Sequence, residues 1–183
     1  MRLGVDEVGV TELMAVTEHS RALSTAAAAL LLERLDDEGA LVPALAGAPG
    51  DEEVRALLAE VGAAVSPAMG WRGVPAFWRI LARNPHYLRS MWRKEQVVMR
   101  EGALSARDKR RTALGVAMSV RARYMIEYHA AILRQAGDGD EAILEILGVV
   151  DHYTMLNTLS EGMQIASDIV PPDAGRVDGI DRD

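Results

Sequence analysis

The 183-residue chain contains no cysteine. That one absence removes disulfides, thiolate metal sites, cysteine nucleophiles and thiol redox catalysis together. Long apolar runs are missing as well. The longest, residues 26–32, falls far short of the roughly 20 residues that span a bilayer. No alternating run of β-branched residues lies between hairpin-type turns, so strands are not expected. There is no glycine-rich phosphate loop, no G-x-S-x-G and no P-loop. The opening MRLGVDEVGV carries acids and glycine where a secretory leader has basic and then apolar residues. A cytoplasmic protein with no membrane partner is the expectation.

What is present fits a globular domain: 49% apolar and 26% charged residues, with a net charge of −7. The charge is unevenly spread. Residues 72–123 hold 13 Lys and Arg against Glu95, Glu101 and Asp108, a balance of +10. The remainder holds 7 basic and 24 acidic residues, a balance of −17. Such a split favours self-association between unlike faces or capture of a small anion. It disfavours nucleic acid, whose phosphates the acidic remainder repels.

Helical signals fill the chain. Thr11 reads as the cap of a first helix stopped by Gly39, followed by a Pro- and Gly-rich connector over residues 40–50. Asp51 caps DEEVRALLAEVGAAV, in which Val54, Leu57, Leu58 and Val61 form one stripe. A second connector is expected over residues 66–73. Pro75 suits the first turn of FWRILARN, and Pro85 suits the start of a helix running to about Arg100. Ser105 caps a helix to about Val120, and RARYMIEYHAAILRQAG, residues 121–137, forms the next. Asp140 caps a last helix to about Ile169, ended by Pro171-Pro172, with a loose tail over 171–183. The count is six or seven helices in an all-α domain.

The stretch 121–137 places Ala122, Met125, His129, Ile132, Leu133 and Ala136 on one face. Arg123 and Glu127, one turn apart, read as a surface pair. His129 is therefore either a core histidine with a hydrogen-bond partner or an acid–base group, because imidazole exchanges a proton near pH 7. Spacing leaves both open. His19 and His86 read as solvent-facing or capping residues. Trp71, Trp78 and Trp92 stand among arginines, as an aromatic wall for a carboxylate or as core anchors. The last helix is apolar nearly all round, which calls for burial by the domain and a partner together and points to a homo-oligomer.

LSARDKRRTALGVAMSVRARYMIEYHAAILRQAGDGDEAIL, residues 104–144, resembles the AhpD-like family, which includes alkylhydroperoxidase D and carboxymuconolactone decarboxylase. The likeness covers a Leu-Ser cap, an apolar helix, the place of a Cys-x-x-Cys-x-x-x-His segment, a glycine stop and an acidic cap. ARNPHYLRSMWRKEQVVMREG resembles the family's lead-in, so the resemblance spans about residues 77–165. It implies an AhpD-like helical core over 71–170 and an assembly of three or six copies; the N-terminal helical segment over 1–70 is read from its own helical signals.

Carried over residue by residue, the resemblance puts the two family cysteines at Ala122 and Met125 and the relay glutamate at about Arg110. The histidine survives as His129, and Tyr124 matches the aromatic inside the Cys-x-x-Cys. What remains implies cofactor-independent acid–base chemistry, a lyase or hydrolase acting on a small carboxylate. His129 is its catalytic candidate; Tyr124, Arg110, Arg121 and His152 are its substrate-binding candidates. A non-catalytic oligomeric scaffold is the alternative reading. LNTLSEGMQI is also similar to group I haloacid dehalogenases, which implies a hydrolase as a further one. His129 and His152 without a placed carboxylate do not make a metal site. His129 is expected in an internal pocket where its helix meets the last one, with a lowered pKa.

A thiolate must attack the peroxide and a second thiol must resolve the product, so this chain cannot act as a thiol peroxidase. Purified metal-free and haem-free protein is expected to show no thiol-dependent hydroperoxide turnover above a buffer blank; any such turnover refutes the reading.

Overall fold

The computed structural model describes residues 5–36, 39–46 and 49–165. Among them are seven α-helices and no strand.

Helix α1 (Glu7–Ala29) starts earlier than its sequence suggests. The cap is Asp6, whose carboxylate accepts from Gly9 N at 2.8 Å. Thr11, expected as the cap, lies inside the helix and donates its hydroxyl to Glu7 O. The helix also ends well before Gly39, because Leu31 adopts a left-handed φ of 58° and Leu32 N returns to Ala27 O. Helix α2 (Glu52–Met69) has the expected cap, Asp51, which accepts from Glu53 N and Val54 N. It runs on into the expected connector, past Pro67. The buried stripe Val54, Leu58, Val61, Val65 and Met69 keeps helical spacing across the proline. Gly70 then closes it at φ 63°, where a side chain is disfavoured.

Pro75 stands outside the short α3 (Ala76–Leu81), as its cap position. Asn84 caps α4 (Pro85–Val98) and Ser105 caps α5 (Ala106–Ser119), each accepting from the N–H three residues on. Arg121, at φ 55°, breaks the chain before α6 (Arg123–Gln135). Helix α7 (Asp140–Gly162) takes Gly139 rather than Asp140 as its cap. It ends before residue 169, since Gln164 turns left-handed at φ 52°. Pro171-Pro172 and the tail expected over 171–183 lie outside the described residues.

One core joins residues from α1 to α6. Leu23 and Ala27 of α1, the α2 stripe, Phe77 and Trp78 of α3, Leu88 and Trp92 of α4, Ala117 of α5, and Tyr124 and Tyr128 of α6 all meet in it. Trp78 sits edge-on to both Phe77 and Trp92, with ring centres 5.4 Å apart in each pair. Trp78 is therefore a core anchor. The surface pair expected between Arg123 and Glu127 is not made. Arg123 reaches Glu33 at 3.6 Å, while Glu127 accepts from Leu35 N at 3.2 Å and ties the chain after α1 to α6.

Helix α7 stands apart. It leans on α5 at Gly115, where an added Cβ would come within 3.5 Å of Val150 and 3.7 Å of Ile146. Ile143 and Ile146 rest on Leu114 and Leu133. No residue of α7 is buried, and Leu144, Leu147, Val149, Tyr153, Met155, Leu156 and Leu159 are all exposed. Among the described residues no helix is long and apolar enough to cross a membrane.

Candidate functional site

Four helices bring four polar side chains into the interior as one chain of hydrogen bonds. His19 of α1 and Glu95 of α4 are 0% and 4% exposed, and His19 Nε2 lies 2.8 Å from Glu95 Oε2. Arg110 of α5 donates from Nη2 to Glu95 Oε1 at 3.0 Å. Its other terminal nitrogen, Nη1, lies 3.3 Å from His129 Nδ1 on α6. A guanidinium only donates, so Nδ1 is the acceptor and the ring proton of His129 sits on Nε2. That Nε2 is buried without a hydrogen-bond partner. Tyr128 completes the cluster, edge-on to His129 at 5.2 Å, with the Arg110 guanidinium 5.9 Å from its ring centre.

The charges follow from these contacts. Burial alone would raise the Glu95 carboxyl. The Arg110 charge and the His19 hydrogen bond overcome it and hold the group at about 2. For His129, burial and then the Arg110 charge push the imidazole from 6.5 down to about 3, against the pull of Glu95. Glu95 is thus ionised and His129 neutral at pH 7.

A cleft leads to this cluster from the surface. It has a volume of about 290 Å³, at the small end for a ligand site. Glu95, Gln96, Arg100 and Arg110 supply its polar groups. Ala64, Val65 and Ala68 of α2, Trp92 of α4 with Met99 at its end, and Ile132 of α6 form the apolar part. Arg110 keeps 14% of its side chain exposed and Glu95 5%. Arg100 is exposed at the rim, and its guanidinium has no partner among the described residues.

The structure groups the sequence candidates differently from the expectation. Arg110 and His129 are together. His129 is 1% exposed and does not line the cleft. Its ring meets Arg110 and the Glu95 side of the interior, not a pocket between α6 and α7 as anticipated. Tyr124 is a core residue whose hydroxyl accepts from Phe77 N at 3.0 Å, with burial pushing its phenol upward. Arg121 is exposed in the α5–α6 turn, beside Leu31 and Glu33. His152 is exposed on α7 against Tyr153. Of the lost redox positions, Ala122 caps α6 and Met125 fills the core, 2% and 1% exposed.

Nothing in the spacing singles out Glu95, and His19 is expected to face solvent or cap a helix; both are buried at the centre. Glu95 is one of only three acids among thirteen bases over residues 72–123, which was the available signal. His86 is exposed, as expected. Among the described residues no cluster of His, Asp and Glu could hold a metal ion.

Residues 85–168 match the carboxymuconolactone decarboxylase family. The crystal structure of the alkylhydroperoxidase AhpD core from Rhodospirillum rubrum superposes with a TM-score of 0.60 at 27% identity, covering 71% of this chain and 95% of that one. No match is found among curated proteins.

Both buried shifts make the fold acid-sensitive. The low Glu95 value gives stability that is present above its usual 4.5 and lost as pH falls through about 2. The folded state withholds from His129 a proton that the unfolded chain accepts below 6.5, so stability also falls between about 6.5 and 3. The urea midpoint is expected to drop steadily from pH 7 to 4, and the His129 ring signals in NMR to stay unshifted to about pH 4. A ring titrating near 6.5 contradicts this burial.

Proposed function

We propose, for a chain whose residues 85–168 form a cysteine-free carboxymuconolactone decarboxylase family domain of AhpD-like fold, that it binds a small apolar carboxylate and acts on it by proton transfer. The observation that carries this reading is the cleft: apolar walls over a polar floor, with Arg110 at the base and the unpartnered Arg100 at the rim. Its charged lining is Glu95 against Arg100 and Arg110, which leaves one positive charge for an anion. At about 290 Å³ against roughly 30 Å³ per water, the space suits a ligand of about ten heavy atoms.

Within this reading His129 is a positioning residue. A general base works best with a pKa near the operating pH, and an imidazole at about 3 is far from it. Its lone pair is already taken by Arg110. The ring fixes the guanidinium that faces the ligand. The scaffold reading differs only in lacking a reaction, and it is favoured by the fact that neither Glu95 nor His129 titrates near pH 7 in the free protein.

Titration with benzoate and hexanoate, followed by calorimetry, is expected to give saturable binding. Arg100→Gln should weaken it roughly tenfold or more, on the order of 1.5–3 kcal/mol for a charged hydrogen bond, and benzamide should bind far less well than benzoate. No binding at millimolar benzoate and hexanoate, or equal binding of the amide, removes the proposal.

We infer also that copies of this chain assemble through α7. Its exposed apolar side chains run along a helix of about 34 Å, by the rise of 1.5 Å per residue. They border an apolar groove of about 740 Å³ between α1, α5 and α7. Charge adds direction, since α7 carries five acids and no Lys or Arg, while Arg111 lines the groove. Light scattering at micromolar concentration is expected to give a multiple of 19.8 kDa, and Leu147→Glu with Leu156→Glu to shift it towards one chain. A clean monomer at moderate salt defeats the inference.

A further inference from the structure

The carboxylate reading leaves open which group moves the proton, and the geometry at the floor of the cleft bears on it. Glu95 lines the cleft and is almost wholly buried. Its two oxygens are engaged separately, Oε2 by His19 at 2.8 Å and Oε1 by Arg110 at 3.0 Å. Arg110 lines the same cleft, so an entering carboxylate meets the guanidinium that Glu95 already uses. The nitrogen facing His129 is held by that ring at 3.3 Å. Ligand and Glu95 therefore compete for one cation.

Resting on that reading, we propose that Glu95 is the proton acceptor of the site, and that the ligand's own carboxylate activates it by drawing Arg110 away. The free pair is balanced, one anion against one cation. With the ligand bound, two carboxylates share that cation at the floor, while Arg100 stays out at the solvent-exposed rim, and like charges so placed cannot both stay ionised without cost.

Among the described residues, the groups around Glu95 from each neighbouring element leave Arg110 as the only cation in hydrogen-bond contact with it, other than a protonated histidine. From α1 comes His19, from α5 Arg110, and from α6 His129 and Tyr128. The α2 wall, Ala64, Val65 and Ala68, carries no charge. On its own helix side, Arg100 stands at the exposed rim. Burial already presses Glu95 towards its neutral form more strongly than any other single influence, and the Arg110 charge is the largest force against it. Weakening that one contact releases the burial effect.

The step balances without a co-reactant. Glu95 gains one proton and becomes a neutral carboxylic acid. With an inert ligand the proton comes from solvent. With a reactive one it comes from an acidic C–H or O–H of the ligand, whose bonding electron pair stays behind on the ligand. His19 keeps donating to Oε2, and protonation falls to Oε1, the oxygen that Arg110 has left.

Benzoate, which has no proton to surrender, isolates the step. Calorimetric titration of the purified chain at pH 7, in PIPES and in Tris, reads proton uptake from the difference in heats. The expected result is an uptake of about half to one proton per benzoate, with affinity falling as pH rises above 7. Glu95→Gln is expected to remove the uptake while benzoate binds as well or several-fold better, since the amide does not repel it. Binding of benzoate with no proton uptake overturns this inference and leaves the carboxylate site standing. Uptake that persists in Glu95→Gln puts the proton on a histidine and also overturns it. Absence of benzoate binding overturns both. If Glu95→Gln fails to fold, an infrared difference spectrum of the unaltered protein decides: a protonated-carboxyl band must grow with benzoate, and its absence refutes the assignment.

Discussion

The buried pair of Glu95 and Arg110 is the contact on which the interior depends. It joins α4 to α5, and through His19 and His129 it extends to α1 and α6. Removing one member of such a pair leaves an uncompensated charge away from water, at a cost on the order of 3–5 kcal/mol. The pair also sets the state of its neighbours. Arg110 keeps Glu95 ionised and, from its other side, helps keep His129 neutral. A site built this way is electrically quiet until something displaces one partner.

The basic segment looks different once folded. Read as a string, it is a cationic patch awaiting an anion. In three dimensions the chain supplies most of the anions itself. Arg107 and Arg111 clamp the buried Asp138 and so tie the turn before α7 to α5. Lys109, 2% exposed, reaches Glu12 of α1 at 3.0 Å and the carbonyl of Arg100 at 2.8 Å. Lys94 pairs with Glu18 and Arg89 with Glu53. The exposed pairs add little stability, but together they cancel the local field. Arg100 escapes this cancellation, and it stands at the mouth of the cleft.

The positions at which the resemblance puts the family's cysteines are filled by packing. Met125 and Ala122 occupy the cysteine positions that the resemblance assigns, and both are buried in the main core. Arg110 stands at about the position to which the resemblance assigns the relay glutamate, and Glu95 of the preceding helix pairs with it. A buried arginine needs a buried carboxylate within reach. Glu95 meets that need, and the resulting pair faces the cleft.

The local rules of helix formation were legible residue by residue. Asp51 and Ser105 are legible as caps, and each caps a helix, because a short polar side chain satisfies a free N–H wherever it stands. The absence of cysteine decided the excluded chemistry without any structure. Thr11, Gly39 and the connector expected over residues 66–73 misled because the chain offered a better cap at Asp6, a left-handed turn at Leu31, and an apolar stripe strong enough to carry α2 past Pro67. The site was not legible in the same way. His19 and Glu95 lie 76 residues apart, and no periodicity within either helix records that the two faces meet. Tyr124, Arg121 and His152 share a stretch of sequence with His129 but not its surroundings. Helix type and excluded chemistry follow from neighbours along the chain. Which charges lie buried together follows from how four helices pack, and only the tertiary structure decides that.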